Sequence, residues 1–169
     1  LTPEKYHYNH TPVAGKVADF YEIPGVYHSC NPEAVVRVAQ PYSKNKRVVT
    51  VFHTDPEGGT GAGWVAMIEV VALMIGDIVQ AYSEERYDDP RPISRGMFVL
   101  RGRPKSLFRP GSSTVILIFQ RGRVEFCSDL TVNQHFRSAK SRFSAEWNFP
   151  LVETEVKVGS PIARALLKK

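Results

Sequence analysis

Two adjacent serines, Ser112 and Ser113, follow Pro110-Gly111 and run straight into the apolar stretch Val115-Ile116-Leu117-Ile118-Phe119. Pro fixes φ and Gly tolerates positive φ, so the pair makes a tight turn. Five apolar residues without a charge among them read as a buried strand. A hydroxyl held where a strained turn meets a rigid strand can be presented to the carbonyl of the residue before it. Small polar residues also commonly open strands, so the pattern has a plain structural reading as well. Near the other end of the chain, Tyr6-His7-Tyr8-Asn9-His10-Thr11-Pro12 carries two imidazoles three residues apart. They could share a helical face or bracket a turn, and Pro12 requires any helix to stop before it. As metal ligands they are incomplete, with no third ligand at useful spacing, so no metal site is expected. Each histidine could also be purely structural.

The elements that must position these groups are mostly strands. Residues 13–21 alternate loosely and are predicted as a strand, 23–27 as a turn, and 48–53 as a strand after the basic turn 44–47. Residues 55–63 (DPEGGTGAG) are predicted as a flexible hairpin loop. Their glycines do not open a helix after a strand, which excludes a phosphate-binding loop of the dinucleotide kind. The stretch 64–75 (WVAMIEVVALMI) is rich in Val and Ile and is predicted as a long central strand. Glu69 inside it is placed on a wet face, because a buried carboxylate would need a partner. Residues 76–82 continue as another strand. The segment 83–107 holds Glu84, Glu85, Arg86, Asp88, Asp89, Arg91, Arg95, Arg101, Arg103 and Lys105. It reads as a solvated loop of mixed charge, or more sharply as a basic wall around an anionic ligand. Residues 122–126 are predicted as the hairpin partner of the serine strand, and 129–136 as a short helix. Residues 153–159 are predicted as a last strand and turn, and 162–169 as a short basic helix. No internal repeat, low-complexity segment or domain boundary is evident. The expected fold is mostly β with minor α: bent antiparallel sheets forming a single barrel-like or sandwich-like domain over residues 1–169.

At 169 residues the chain can bury a real core. Twelve prolines and twelve glycines suit short strands joined by many turns. The formal net charge of +5 suggests affinity for phosphate groups without choosing among a ligand, a membrane surface and nucleic acid. Cys30 and Cys127 are too few and too far apart for a disulfide or zinc framework, so two reduced thiols are expected. No run of 18 apolar residues and no signal-peptide pattern is present, so a location in the cytoplasm or at a membrane periphery is expected.

In the order of its motifs, the chain resembles the phosphatidylserine decarboxylase family of pyruvoyl enzymes. Residues 6–15 (YHYNHTPVAG) look like the family's YHRxHxPVxG segment, and 23–27 (IPGVY) like its PGxY turn. Residues 45–52 resemble its NxR-plus-strand segment, and 65–78 its strand ending VGxxxVGxI. Residues 108–130 look like FxxGGSTVxxLFxxGRxxFxxDL. Any one of these is weak, but five in the right order are strong.

The resemblance implies a mostly β enzyme that cuts its own chain. A serine hydroxyl attacks the preceding peptide carbonyl in an N-to-O acyl shift, and β-elimination and hydrolysis leave a pyruvoyl group on the new N-terminus. That covalent, self-generated cofactor forms a Schiff base with a substrate amine and serves as the electron sink for loss of CO2, the task that PLP performs elsewhere. Counting back from Phe119 puts Ser113 and Thr114 on the family's Ser-Thr, with Ser112 replacing its Gly. The cut would then give chains 1–112 and 113–169. Matching the Gly-Ser dipeptide instead makes Ser112 the nucleophile and moves the cut to follow Gly111. By resemblance His10 is the general base for self-cleavage and His7 assists decarboxylation, tasks suited to imidazole. The serine turn is accordingly expected near the segment that carries both histidines. The family orients its base with an Asp from an ADG-type motif, whose place falls before Leu1.

Phosphatidylserine is the first expected substrate and a free amino acid such as tryptophan the second. The implied partners are this amine-bearing carboxylate, the self-cleaved chains held together, a second copy in a homodimer and a peripheral membrane contact, without nucleic acid. A non-catalytic domain that keeps the fold would instead leave the chain uncut, and Ser112 in place of Gly suits that reading. A basic nucleic-acid-binding barrel rests on charge alone, because no strand alternates aromatic and basic residues as a stacking platform does.

Overall fold

Val, Ile, Phe and Thr dominate the segments that become strands, and their branched or aromatic side chains pack well on a pleated surface. The computed structural model describes residues 6–31, 35, 41–73, 77–109, 113–136, 138–139, 141 and 152–166. Its strands are β1 (Tyr8–His10), β2 (Gly15–Ile23), β3 (Arg47–His53), β4 (Trp64–Val70), β5 (Ile78–Gln80), β6 (Phe98–Val99), β7 (Pro104–Phe108), β8 (Thr114–Phe119), β9 (Val124–Phe126) and β10 (Ala163–Ala165). A single helical turn, α1 (Pro41–Lys44), precedes β3, and a short helix, α2 (Ser128–Asn133), follows β9. The protein is thus mostly β, as expected.

Five strands form one curled sheet in the order β6-β2-β3-β4-β8, with every pair antiparallel. Three more form a sheet in the order β1-β7-β5, and β9 pairs with β10 in a two-stranded ribbon. Val17, Phe52, Val65, Met67, Tyr82 and Val99 fill the main core, and Phe20 and Val115 pack against both this cluster and a smaller one of Val48, Val71, Ile78 and Phe108.

Several readings of the sequence change. β4 ends at Val70 and lies second from the edge, with β3 at the centre of the sheet. Residues 122–126 do not form a hairpin with the serine strand. Strand β8 pairs instead with β4, from Val65↔Phe119 to Val70↔Thr114, and β9 pairs with β10. The C-terminal residues expected as a basic helix therefore contribute a strand, Ala163–Ala165, and residues 153–157 are not strand. β8 is an edge strand whose faces differ. Val115, Leu117 and Phe119 meet the core while Ile118 is 54% exposed, so this uncharged run is half-buried. An apolar run alone does not reveal whether its second face is covered.

Candidate active site

Ser113 stands immediately before β8 and is 1% exposed. Thr114 then begins the ladder against Val70 of β4. The neighbouring groups come from the loop after β2 and from α1. The Cys30 thiol donates to the Val71 carbonyl at 4.0 Å, and Thr114 lies close enough to the Cys30 thiol and the Tyr42 phenol to bias both. Burial pushes the Cys30 thiol above its ordinary value, and Thr114 pulls partly against it. Burial also raises Tyr42, Cys30 adds to the rise, and Thr114 again opposes it. Asn45, fully buried, ties this corner together. Its amide nitrogen donates to the carbonyls of His28 and Val71, both at 2.8 Å, and its oxygen accepts from the His28 amide at 2.9 Å. The head of the serine strand is therefore enclosed by three chain segments and holds a hydroxyl, a phenol and a thiol. Of the residues expected at the cut, Gly111 and Ser112 lie outside the described residues.

The histidine segment becomes β1, a strand with a bulge between Asn9 and His10, rather than a helix. It pairs with β7, the strand that leads into the serines. The carbonyl of His7 accepts from the amide of Phe108 at 3.0 Å, which places His7 beside the end of β7 five residues before Ser113. His10 pairs with Pro104 at the opposite end of β7. Its Nδ1 lies 2.8 Å from the carbonyl oxygen of Gly102 and its Nε2 2.6 Å from the hydroxyl of Tyr6. Tyr6 reaches on to the hydroxyl of Tyr87 at 2.5 Å, closing an exposed aromatic group around the imidazole. The two histidines thus sit at opposite ends of the β1–β7 pairing, the His7 backbone at Phe108 and His10 opposite Pro104.

Between them, Asn9 points into the protein and opens a network absent from the sequence reading. Its amide donates to Glu69 Oε1 and to Ser106 Oγ, both at 3.0 Å. Lys105 Nζ donates to Glu69 Oε2 at 2.6 Å and to Gln80 Oε1 at 3.0 Å, and Ser106 also donates to Glu69. The side chains of Glu69 and Lys105 are both 0% exposed. Glu69 is therefore an interior carboxylate rather than a group on a wet face, and Lys105 belongs to the core rather than to a basic wall. The signal was present in the period of β4. Val65, Met67 and Glu69 share one face, and the first two are buried. The network joins the histidine strand to β4 one register position from the head of β8, where Val70 pairs with Thr114.

Comparison with known proteins fits this arrangement. The family profile described as phosphatidylserine decarboxylase matches residues 1–145. Phosphatidylserine decarboxylase proenzyme 2 of Oryza sativa subsp. japonica is 35% identical over 134 residues, which is 79% of this chain and 19% of that protein. The phosphatidylserine decarboxylase proenzyme of Desulfitobacterium hafniense is 32% identical over 130 residues, 77% of this chain and 38% of that protein. That of Fusobacterium nucleatum is 30% identical over 133 residues, 79% of this chain and 39% of its own length. The aligned part of the chain thus spans 19% to 39% of the length of these relatives. No solved structure matches. With a family match over most of its length, and motifs falling on β1, β4 and the head of β8, this chain belongs to the phosphatidylserine decarboxylase family.

Proposed function

We propose that this chain is the catalytic part of a pyruvoyl-dependent decarboxylase that makes its prosthetic group by cutting itself before Ser113 and acts on phosphatidylserine. The observation that carries the reading is the enclosed position of Ser113 at the head of β8, inside the family match. In the cut, the serine oxygen bonds to the carbonyl carbon of the preceding residue as the peptide nitrogen leaves, giving an ester. Loss of the serine Cα proton then expels the carboxylate and leaves dehydroalanine. Tautomerisation and addition of water release ammonia and leave the pyruvoyl carbonyl on the new N-terminus. The residues present fit such a group, because the corner that buries Ser113 is polar and closed by Thr114, Tyr42 and Cys30. Such a carbonyl would supply the electrophile for the substrate amine and the electron sink for loss of CO2.

The chain's own residues supply the proton transfers and the scaffold. An imidazole takes the proton of the serine hydroxyl, and a second can hold the substrate carboxylate or return a proton after CO2 has gone. The family resemblance gives the first task to His10 and the second to His7. The pairing of β1 with β7 favours a second assignment, in which His7, beside Phe108, is the nearer base. After the cut, six register pairs between β4 and β8 would keep 113–169 on 1–112, so both pieces stay one folded unit. A free amino acid such as tryptophan is the alternative substrate. The test is release of CO2 from carboxyl-labelled phosphatidylserine vesicles and, separately, from carboxyl-labelled tryptophan. Release from the vesicles supports the proposal, release from tryptophan alone moves the substrate, and release from neither by an uncut chain supports a non-catalytic domain.

A further inference from the structure

Strand β1 is three residues long and lies at the edge of its sheet, paired with β7. Pairing alone holds so short an edge strand weakly, and a slip of one residue turns every side chain to the other face. The two faces of this segment differ in chemistry. Tyr8 pairs with Leu107, Asn9 with Ser106 and His10 with Pro104, and the Phe108 amide donates to the His7 carbonyl. His7 and Asn9 therefore alternate onto one face, opposite the buried residues Phe108 and Ser106, while Tyr8 takes the other. A slip would carry Asn9 out of the interior and turn the imidazoles over. The register jump between Asn9 and His10 leaves Lys105 as the extra residue of a bulge, because their partners are Ser106 and Pro104. A regular strand would send Lys105 and Ser106 to opposite faces, yet both are buried and both donate to Glu69. The bulge thus aims two neighbouring side chains at one carboxylate, and Asn9 adds a third donor from β1. Lys105 also donates to Gln80 on β5, so the network ties all three strands of this sheet to β4 of the other. Glu69 itself pairs with Val115, two residues beyond Ser113.

Apolar packing could hold these sheets together equally well, because burial of hydrocarbon is non-directional. A buried carboxylate with three donors accepts one arrangement, since a slip leaves a charge or an amide unpaired. A buried polar group can therefore fix register where hydrocarbon cannot. We propose that Glu69, Lys105, Asn9 and Ser106 are positioning residues for the cut. They lock the bulge and register of β1 and so deliver His7 to the serine end of β7, acting through the strand and not on the reacting atoms. Their effect on the cut rests on the self-cleavage proposed above, whereas the lock on register does not.

The test compares the full parent chain with two variants. Glu69→Met with Lys105→Met puts a packed apolar pair in place of both charges, and Asn9→Leu removes the β1 donor while keeping the ion pair. Each is read by melting temperature, by intact mass for the appearance of the 113–169 fragment, and by NMR cross-strand contacts of β1. In the parent those contacts run from Tyr8 to Leu107 and from His10 to Pro104. The double variant should melt close to the parent. It should nevertheless release the fragment roughly a hundredfold more slowly, the loss that a misplacement of about 1 Å can produce. The contacts of His10 should move from Pro104 to residue 105 as the bulge is lost. Asn9→Leu should slow the cut and shift the register in the same direction. A folded double variant that cuts at the parent rate would overturn the proposal. So would slow cutting with His10 still opposite Pro104, because the loss would not then run through register. Should the double variant fail to fold, Asn9→Leu decides, and parent rate with parent register there overturns the lock. A parent chain that stays uncut would reject the decarboxylase reading and leave register as the arbiter. A bulge retained in the double variant then overturns the lock, and a bulge lost upholds it.

Discussion

Glu69 shows how a single residue sets the character of this molecule's interior. Its carboxylate accepts from Lys105, Asn9 and Ser106 with no water contact. Replacing Glu69 with Ala strands the Lys105 ammonium in the interior, and losing one partner of a buried pair costs about 3–5 kcal/mol. Urea denaturation should record that loss, whereas the double change Glu69→Met with Lys105→Met should recover most of it, because a well-packed apolar pair replaces both charges. Asp55 gives a different signature. Its hydrogen bond to Arg123 holds the carboxyl below its ordinary 3.8, against a smaller opposing effect of burial. A carboxyl depressed by folding contributes stability that is fully present above the unfolded value and fades as pH falls through the folded one. Asp55→Asn should therefore be less stable than the parent at pH 6, and the gap should close as denaturation is repeated toward pH 3. A gap that persists unchanged at low pH would show that Asp55 acts through something other than its charge. Cys30, buried and shifted upward, should resist iodoacetamide in the folded chain, with Cys127 modified first.

At the scale of elements, β1 and β7 decide what the two histidines can do. Their pairing places the His7 backbone against Phe108 and the His10 ring against Gly102. If His7 is the nearer base, His7→Asn slows the appearance of the smaller fragment after synthesis at least about a hundredfold, the low end for a general base. His10→Asn would then slow cleavage little, and the reverse pattern would return the role to His10. The β3–β4 hairpin makes a second element-scale prediction. Ala at Gly59 would press on two carbonyl oxygens, at 2.2 and 2.8 Å, and should destabilise the fold by about 1–3 kcal/mol in thermal melts. What the sequence made legible at this scale was local. Strands β2, β3, β4 and β8 follow from their β-branched runs, and the hairpin loop from its glycines. Their partners were not legible, because pairing β8 with β4 joins residues far apart in sequence, and nothing in a run of Val and Ile names its neighbour. β10 escaped because three residues, Ala163-Arg164-Ala165, carry no strand signal without β9 beside them. The candidate site divided the same way. Ser113 and the histidines were visible from residue type and order, whereas Tyr42, Cys30 and the buried network needed the fold to bring them in.

Taken whole, the molecule is a curled sheet with a polar seam between its two larger sheets, and the site sits where that seam meets the edge strand β8. Phe52 lies at the centre of the core with no exposure, and Phe52→Ala should cost about 3–5 kcal/mol, lowering the melting temperature of the whole domain in one transition. The same architecture would hold the two pieces together after the proposed cut, since β8 is paired with β4 along its length. Cleavage before Ser113 is thus the claim on which the functional reading turns, and intact mass under denaturing conditions reads it directly. The account predicts two fragments, 1–112 and 113–169, the second beginning with a pyruvoyl group in place of serine, and a single uncut mass in Ser113→Ala. A break between Gly111 and Ser112 would move the chemistry by one residue. One uncut mass for the parent chain would contradict the account.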